Sequence, residues 1–327
     1  MTSEYSCIFA ISSPHPLLTS GHYNITYNTD TSLVVVSSKG GRVYWFCFSR
    51  MDRVYASHEL PRFSLQDAED HVRLHASLGV IPGRKVTLAD LWETRETAHM
   101  TALEEAFYDH WSWGRFVCIG DSVHKTTPNL GSGGMSAIED VAALADALNS
   151  LYEQHKDEKC GIQLPAVHDA LAGFQRNQED RMRVLSNRAG LLTRVQAMRG
   201  PSERFFVNNL LPHLGNEFNN EATEWFVGTP HISFLPIPAR SLSGTMPFNP
   251  RQGFGRNDTL SQRFVKALPL LIVAVFAFVI SVKSTATVNT SLVSTASSSL
   301  VSDFAILYAM MLFEGSRRIH SWAPFRL

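Results

Sequence analysis

The sequence predicts a mixed α/β (α+β) fold on three observations. Residues 32–48 contain two runs of β-branched and aromatic residues separated by Lys39-Gly40-Gly41, which is the pattern of a β-hairpin. Residues 115–151 contain a short apolar run, a Pro- and Gly-rich loop and an alanine-rich helical pattern. Residues 165–199 continue with helical periodicity and many basic residues.

The segments between these features are predicted to be mostly helical. Residues 64–80 and 87–110 have this character, and the run TALEEAFYDHW places Leu103, Phe107 and His110 on roughly one helix face. Further along, we predict a short buried strand from Arg115 to Ile119 and a helix from Ser136 to Leu151. The positions of that helix expected to pack against a sheet are Ile138, Val141, Ala142, Ala145 and Leu148. From Gly200 to Gln262 the many prolines predict an irregular linker.

The composition excludes several classes of protein. Hydrophobic residues make up 44% of the 327 residues and charged residues 18%, which indicates a packed core rather than disorder. The net charge of −1 gives no sign of a polyanionic partner, so nucleic-acid binding is not expected. The four cysteines are scattered and form no C-x-x-C pair, which disfavours a zinc site and suits a reducing compartment. No Lys or Arg precedes the first apolar residues, which argues against a secretory signal peptide.

Two apolar runs near the C-terminus predict a membrane anchor over residues 263–315. The first run, 267–282, is uncharged and bounded by lysines, close to the ~20 residues that a bilayer span needs. The second run, 304–313, is shorter, and a Ser/Thr-rich stretch separates the two. Basic residues outnumber acidic ones before the first run and after the second, which favours a hairpin with both ends in the cytosol. A single span with a polar tail is the alternative.

A Gly-Asp pair followed by a glycine-rich loop is the chemically most informative feature. Asp121 follows the predicted strand, at a strand end where α/β folds bind ligands, and its carboxylate accepts hydrogen bonds from hydroxyl groups. The loop then reaches Gly131-Ser132-Gly133-Gly134, where a backbone without side chains can approach a flat ligand at the positive end of a helix. An ordinary strand–loop–helix with an incidental aspartate fits the spacing equally well.

The sequence of this segment resembles the second flavin-binding motif of group A FAD-dependent monooxygenases, the para-hydroxybenzoate hydroxylase-like family. The matching residues are GRFVCIGDSVHKTTPNLGSGGMSAIEDVAALADAL. The resemblance implies a partial FAD-binding monooxygenase fold in which Asp121 binds the ribityl and pyrophosphate side of FAD. The flavin-facing backbone is then formed by Gly131, Ser132, Gly133, Gly134 and Met135. Ser132 and Met135 replace the usual Gln and Asn, so a polar side-chain contact from position 135 is lost. The resemblance assigns no metal site and no catalytic side chain.

A longer stretch narrows the resemblance. The run LWETRETAHMTALEEAFYDHWSWGRFVCIGD, together with GGRVYWFCF and a hydrophobic C-terminal segment, is similar to the fungal subgroup of meroterpenoid and indole-diterpene biosynthesis. The resemblance implies epoxidation of an alkene on a hydrophobic prenylated precursor, with FAD as cofactor and NAD(P)H as reductant. It also implies a membrane, the endoplasmic reticulum, as partner, with the catalytic part in the cytosol. The implied organisation is a partial substrate-binding domain (1–110), the C-terminal part of an FAD-binding domain (111–200), a Pro-rich linker (201–262), the anchor (263–315) and a basic tail (316–327).

The family's G-x-G-x-x-G fingerprint for the ADP half of FAD is not found in these 327 residues. Gly131-x-Gly133 continues with Ser136, and Gly253-x-Gly255 continues with Asp258. We therefore expect the N-terminal nucleotide-binding unit to be missing from this sequence, through either a wrong start or a real loss. A non-catalytic remnant, or a scaffold subunit that keeps the substrate domain and anchor, is the alternative to an active monooxygenase.

Three weaker signals each allow two interpretations. His71 and His75 have the spacing of a metal-binding pair, although a solvated helix face fits them better. His124 and Lys125 could contact a phosphate or serve the structure of the loop. Tyr44 and Trp45 must face opposite sides of a strand, so alternate residues of GGRVYWFCF line either the core or an apolar substrate pocket.

Overall fold

An antiparallel sheet of six strands is the centre of the fold. The computed structural model describes residues 1–214 except 82, 84 and 159, together with residues 229–236. The strands are β1 (Thr2–Ser12), β2 (Tyr23–Asn28), β3 (Thr31–Ser37), β4 (Val43–Ala56), β5 (Arg95–Phe107), β6 (Ser112–Trp113), β7 (Phe116–Val117) and β8 (His124–Lys125). The six-stranded sheet has the order β2-β3-β4-β1-β5-β8, and a separate two-stranded ribbon pairs β6 with β7.

The predicted hairpin is confirmed. Strands β3 and β4 pair antiparallel, with Ser37 opposite Val43 at the turn. Gly41 adopts a φ of +81°, which only glycine adopts without strain, and its N–H donates to the Ser38 carbonyl at 2.9 Å.

The predicted helix over residues 87–110 is mostly wrong. Only a short helix, α2 (Leu88–Glu93), forms, and β5 follows it as a long strand. The run TALEEAF has residues that favour helices, but β5 pairs with nearly the whole length of β1. These backbone hydrogen bonds, and the burial of Met100 and Leu103 on the sheet, outweigh the local helical preference. The predicted helix over residues 64–80 is confirmed in part, as α1 (Leu65–Leu74).

The helices α1 and α2 cover one face of the sheet. Each begins with a capping box, Ser64 with Asp67 and Thr87 with Asp90, which satisfies the first free amides of the helix. Between these helices and the sheet lies an apolar core centred on Trp45, whose indole N–H donates to Ser12 Oγ at 2.8 Å. Further members of this core are Ile8, Leu33, Val35, Val43, Cys47, Val72, Leu88, Leu91 and Met100.

The opposite face of the sheet packs against the end of a long helix. A second apolar cluster combines Tyr5, Cys7, Val34, Phe48 and Leu103 with Ala197, which follows α4 (Leu164–Gln196). Because alternate residues of β3 and β4 belong to the two clusters, Trp45 is buried on the first face and Phe48 on the second, as the strand period requires.

An ionic cluster ties the first strand to the end of α4. The buried carboxylate of Glu4 lies 2.8 Å from Arg199 Nε, 3.0 Å from Arg194 Nη2 and 3.4 Å from Arg50 Nε. Arg194 also binds Glu105 on β5 through two hydrogen bonds. The N-terminal residues, which have no clear pattern in the sequence, are therefore an integral strand between β4 and β5.

Two long helices follow the sheet, as predicted. They are α3 (Gly133–His155) and α4, joined by a short connection. However, several predicted packing positions of α3 are exposed: Ile138 (68%), Val141 and Leu148, whereas Ala142 is buried. The side of α3 that contacts α4 carries the buried acids Glu139 and Asp140 and, further along, Leu144 and Leu151. The predicted packing positions are therefore wrong for Ile138, Val141 and Leu148.

The predicted buried strand from Arg115 to Ile119 is also largely wrong. Only Phe116–Val117 form a strand, paired with Ser112–Trp113 across a turn at Gly114, whose φ is +59°. Phe116 and Trp113 are 78% and 85% exposed, because no other described residue covers them.

The segment after α4 begins as helix rather than as an irregular linker. Residues Pro201–Phe205 form α5, Phe206–Leu210 are π-helical and Leu211–Leu214 form α6. All described residues belong to one compact unit, in which Ser233 donates to Asp146 Oδ1 on α3 through its N–H at 2.8 Å. None of the helices in the described ranges combines the length and the hydropathy of a membrane span. Most of the predicted linker, the predicted anchor (263–315) and the basic tail lie outside them.

Candidate flavin site

The Gly-Asp pair forms a tight turn directly beside the start of α3. Gly120–Ser122 are one 3₁₀ turn, and Gly120 has a φ of +60°. A Cβ at Gly120 would lie 2.9 Å from Cβ of Ala137 on α3, so glycine is needed here for both conformation and space. Asp121 is exposed, with its carboxylate free to meet a ligand.

The structure brings Asp121 and the glycine-rich helix start together, as the sequence predicts. Asp121 Oδ1 lies 3.8 Å from the position of a Cβ on Gly133, and Thr126 Oγ1 lies 4.0 Å from it. A Cβ on Gly131 or Gly134 would meet no atom within 4 Å, so both glycines border open space. This open edge beside a carboxylate suits a flat ring with a hydroxylated chain.

The first turn of α3 offers amides to a ligand. Ser132 occupies the N-cap position, but its side chain makes no capping hydrogen bond and is buried without a partner among the described residues. The positive end of the helix dipole and the amides that follow Ser132 are therefore free of a side-chain cap. Met135 is 48% exposed at the same end. Of the three predicted site residues that have a side chain, Asp121 and Met135 are exposed and Ser132 is buried.

A buried hydrogen-bonded pair lies beneath the Gly-Asp turn. Asp140 on α3 is fully buried, and its Oδ2 accepts from the Gly120 N–H at 2.8 Å and lies 2.6 Å from His124 Nε2. His124 is 2% exposed and packs against the Trp111 ring, 5.4 Å between centroids. Its role in this structure is therefore structural, and the alternative of a phosphate contact is not available to its Nε2. Lys125 forms an ion pair with Glu104.

A second polar network anchors the far end of the loop. Thr193 Oγ1 on α4 lies 2.7 Å from Thr127 Oγ1 and 2.8 Å from Asn129 Oδ1. Asn129 Nδ2 donates to Gln196 Oε1 at 2.6 Å. The loop that carries the residues predicted to face the flavin is thus fixed at both ends, to α3 by Asp140 and to α4 by Thr193. Neither residue has a sequence signal apart from its place within the motif or on a helix.

An apolar cavity of about 340 Å³ opens between the sheet and this loop. Its walls are Tyr23, Val34, Val36, Phe46 and Phe48 on the sheet side and residues 128–131 on the loop side. Phe46 and Phe48 stack with ring centroids 6.3 Å apart. The polar atoms of the Asn129 amide are already bonded to Thr193 and Gln196. Alternate residues of GGRVYWFCF therefore serve both interpretations, since Trp45 fills the core and Phe46 lines the cavity.

The His71 and His75 pair does not form a metal site in the part of the chain that the structure describes. No group of three metal-binding side chains occurs there. The two rings lie 4.7 Å apart, and His71 Nε2 is 2.6 Å from Ser49 Oγ. Burial, with a smaller contribution from His75, lowers the pKa of His71 to about 4, so this histidine is neutral at physiological pH. The interpretation as a solvated face is wrong for His71, which lies between α1 and the sheet.

Comparison with known proteins identifies the class of this site. A family model described as an FAD binding domain matches residues 20–160. The Klebsiella pneumoniae protein HpxO, solved with FAD and uric acid, aligns over 68% of this chain and 53% of its own, with a TM-score of 0.52 and 18% identity, which shows a shared fold. The sheet, the Gly-Asp turn and the open helix start are thus parts of a flavoprotein fold.

Curated relatives from fungi give the family. The FAD-dependent monooxygenase anuJ of Penicillium roqueforti is 40% identical over 277 residues, 84% of this chain and 34% of that protein. The monooxygenase verC1 of Penicillium polonicum is 36% identical over 85% of this chain and 34% of its own, and spyC of Aspergillus fumigatus 34% identical over 85% and 57%. The chain belongs to the group A FAD-dependent monooxygenase family. It spans between about a third and three-fifths of these relatives.

Proposed function

We propose that this chain forms the substrate pocket and the flavin-ring side of a monooxygenase that epoxidises an alkene on a hydrophobic prenylated precursor in fungal secondary metabolism. The observation that carries the proposal is the cavity of about 340 Å³, which is walled by Phe46 and Phe48 and ends at Gly131 of the flavin-facing loop. A substrate in this cavity lies against the same backbone that borders the ring of FAD.

The residues of the site fit FAD on its ribityl and ring side. Asp121 accepts hydrogen bonds from the ribityl hydroxyls, and the uncapped amides after Ser132 bind the electronegative edge of the ring. Bound FAD, reduced by NAD(P)H, supplies the oxygen chemistry. The chain's own part is to hold the ring, exclude water and orient the alkene.

The apolar walls support a substrate without charge. On the sheet side of the cavity Val36 and Phe46 are partly exposed, and the buried Val34 and Phe48 lie among the same lining residues. Burying the exposed apolar surface stabilises a hydrocarbon ligand by ~25 cal/mol per Å². The side-chain amide of Asn129 is already engaged by Thr193 and Gln196, within the loop's own network. Tyr23, which is 55% exposed, is the polar side chain at the rim. A prenyl chain meets these requirements, whereas a carboxylate-bearing small acid does not.

The cofactor assignment is tested by titrating FAD onto the 327-residue chain and following the quenching of flavin fluorescence. Asp121→Ala should weaken FAD binding about tenfold or more, because it removes a charge-assisted hydrogen bond worth ~1.5–3 kcal/mol. Asp109→Ala, which removes another exposed acidic side chain outside this site, is the matched control and should bind FAD like the parent. Equal affinities for Asp121→Ala and the parent would refute the assignment.

The substrate pocket is tested with a prenylated aromatic probe. Val36→Asp places a charge in the cavity wall and should abolish binding of the probe while FAD affinity is kept. Val54→Asp makes the same change at an exposed position of β4 and should bind the probe normally. Loss of probe binding in both variants, or in neither, would contradict the location of the pocket.

Catalysis itself separates the monooxygenase from the non-catalytic remnant or scaffold. An active enzyme consumes oxygen when NAD(P)H, FAD and a prenylated alkene are present together, and it releases an epoxide. We further propose that residues 263–315 hold the chain on the endoplasmic reticulum membrane with the described unit in the cytosol, as the apolar runs of the sequence suggest. A chain that binds FAD and the probe but consumes no oxygen would favour the remnant.

A further inference from the structure

The acceptor beneath the Gly-Asp turn belongs to the helix that begins at the flavin-facing loop. Asp140 is 0% exposed. Its Oδ2 accepts a hydrogen bond from the Gly120 N–H at 2.8 Å and lies 2.6 Å from His124 Nε2. Its other oxygen lies 3.4 Å from Gln178 Nε2 on α4. A buried carboxylate is costly unless its oxygens are bonded, so the fold stabilises this one at a defined place.

The Asp140 carboxylate is bonded to Gly120, the residue immediately before Asp121. The Gly120 amide is part of the left-handed turn that directs Asp121 towards the start of α3, where Asp121 Oδ1 lies 3.8 Å from the Cβ position of Gly133. Asp140 lies two turns further along the same helix. The Asp140 side chain therefore links the turn that carries Asp121 to α3, whose first amides are proposed to bind the flavin.

We propose that Asp140, held by His124, is a positioning residue that fixes the Asp121 carboxylate against the start of α3 and thereby sets the affinity for FAD. This inference rests on the proposed role of Asp121 in cofactor binding. Asp140 itself touches no ligand, since it is completely buried, and it acts through the Gly120 amide.

The neighbouring acid on α3 provides a matched control. Glu139 is also buried, but it binds Arg181 on α4 through two hydrogen bonds, 2.6 Å and 3.0 Å, and contacts no part of the turn. Glu139→Ala should lower the stability of the fold in a thermal melt and leave the affinity of the folded chain for FAD within about twofold of the parent, because α3 and Asp121 keep their relation.

The test is a double-mutant cycle on FAD affinity, measured by fluorescence titration of the full chain. Asp140→Ala should weaken FAD binding about fivefold to tenfold while Asp121 is present, and less than about twofold in an Asp121→Ala background, since coupled residues are not additive. Asp140→Asn keeps an oxygen acceptor for Gly120 and should recover most of the affinity.

A second measurement follows the turn without any cofactor. Hydrogen exchange at the Gly120 amide should be slow in the parent and fast in Asp140→Ala, while amides in the middle of α3 stay protected. If Asp140→Ala does not fold, His124→Leu and His124→Gln replace it. Only Gln retains a donor near the Nε2 position, so His124→Gln should bind FAD like the parent and His124→Leu several-fold more weakly.

The outcomes separate the two levels of the argument. If Asp121→Ala has no effect on FAD binding, the proposed cofactor site is wrong. If Asp121→Ala weakens binding but Asp140→Ala and His124→Leu do not, the cofactor site stands and the positioning role is overturned. An equal loss from Asp140→Ala with and without Asp121 also overturns it, because the effect is then independent of the turn.

Discussion

Replacing Gly120 with alanine should destabilise the protein by about 2–5 kcal/mol. The left-handed φ of +60° costs a residue with a Cβ ~1–2 kcal/mol. The new Cβ would also lie 2.9 Å from Cβ of Ala137, and this overpacking adds ~1–3 kcal/mol because Ala137 is fixed in the middle of a helical turn. Chemical denaturation followed by tryptophan fluorescence measures the sum, with Trp111 close to the turn as a reporter.

A second glycine isolates the backbone term. Gly114 has a φ of +59°, almost the same as Gly120, but a Cβ there would meet no atom within 4 Å. Gly114→Ala should therefore cost only the ~1–2 kcal/mol of backbone strain.

The steric term is isolated by removing its partner. Ala137→Gly costs ~1 kcal/mol of helix propensity alone. In the Gly120→Ala/Ala137→Gly double variant the contact is relieved, so the two changes together should cost ~1–3 kcal/mol less than their sum. If Gly120→Ala and Gly114→Ala are equally destabilising, or if the two changes at 120 and 137 are simply additive, the close approach of the turn to α3 is not what requires glycine.

Three further predictions concern other parts of the chain. The pKa of His71 is about 4 in the folded chain and ~6.5 in the unfolded chain, so the unfolded chain takes up the proton first as pH falls. The free energy of unfolding should therefore decrease between pH ~6.5 and ~4, by about 1–3 kcal/mol more in the parent than in His71→Asn. Chemical denaturation at each pH measures this difference. Thr193→Val should cost ~1–3 kcal/mol, because Thr127 and the Asn129 carbonyl lose a buried partner, and an unchanged melting temperature would contradict the network. Deleting residues 263–315 should release the chain from membranes that retain the parent in alkaline carbonate, and co-sedimentation of the deletion would place the anchor elsewhere.

The sequence by itself determined those features whose cause is local. The Gly40-Gly41 turn and its flanking β-branched runs specify a hairpin, because only glycine adopts the turn without strain. Helical periodicity specified α3 and α4. The Gly-Asp motif predicted the flavoprotein family and the position of Asp121 beside Gly133, since both residues lie within one short loop.

Only the tertiary structure decided features that depend on distant partners. The run TALEEAF becomes strand β5 because β1, almost a hundred residues earlier, supplies its hydrogen bonds. Phe116 and Ile138 are apolar and were predicted to be buried, but both are exposed. The exposure of a side chain depends on which other segments cover it, and the periodicity of a sequence does not specify those segments. In the sequence, Asp140 has no feature that distinguishes it from other acidic residues of a helix. Its role follows only from the fold, which places Gly120 and His124 within hydrogen-bond distance. Local backbone preferences are encoded residue by residue, whereas pairing and burial arise only when separate segments meet, and for this reason the sequence could specify the loop but not the residues that hold it in place.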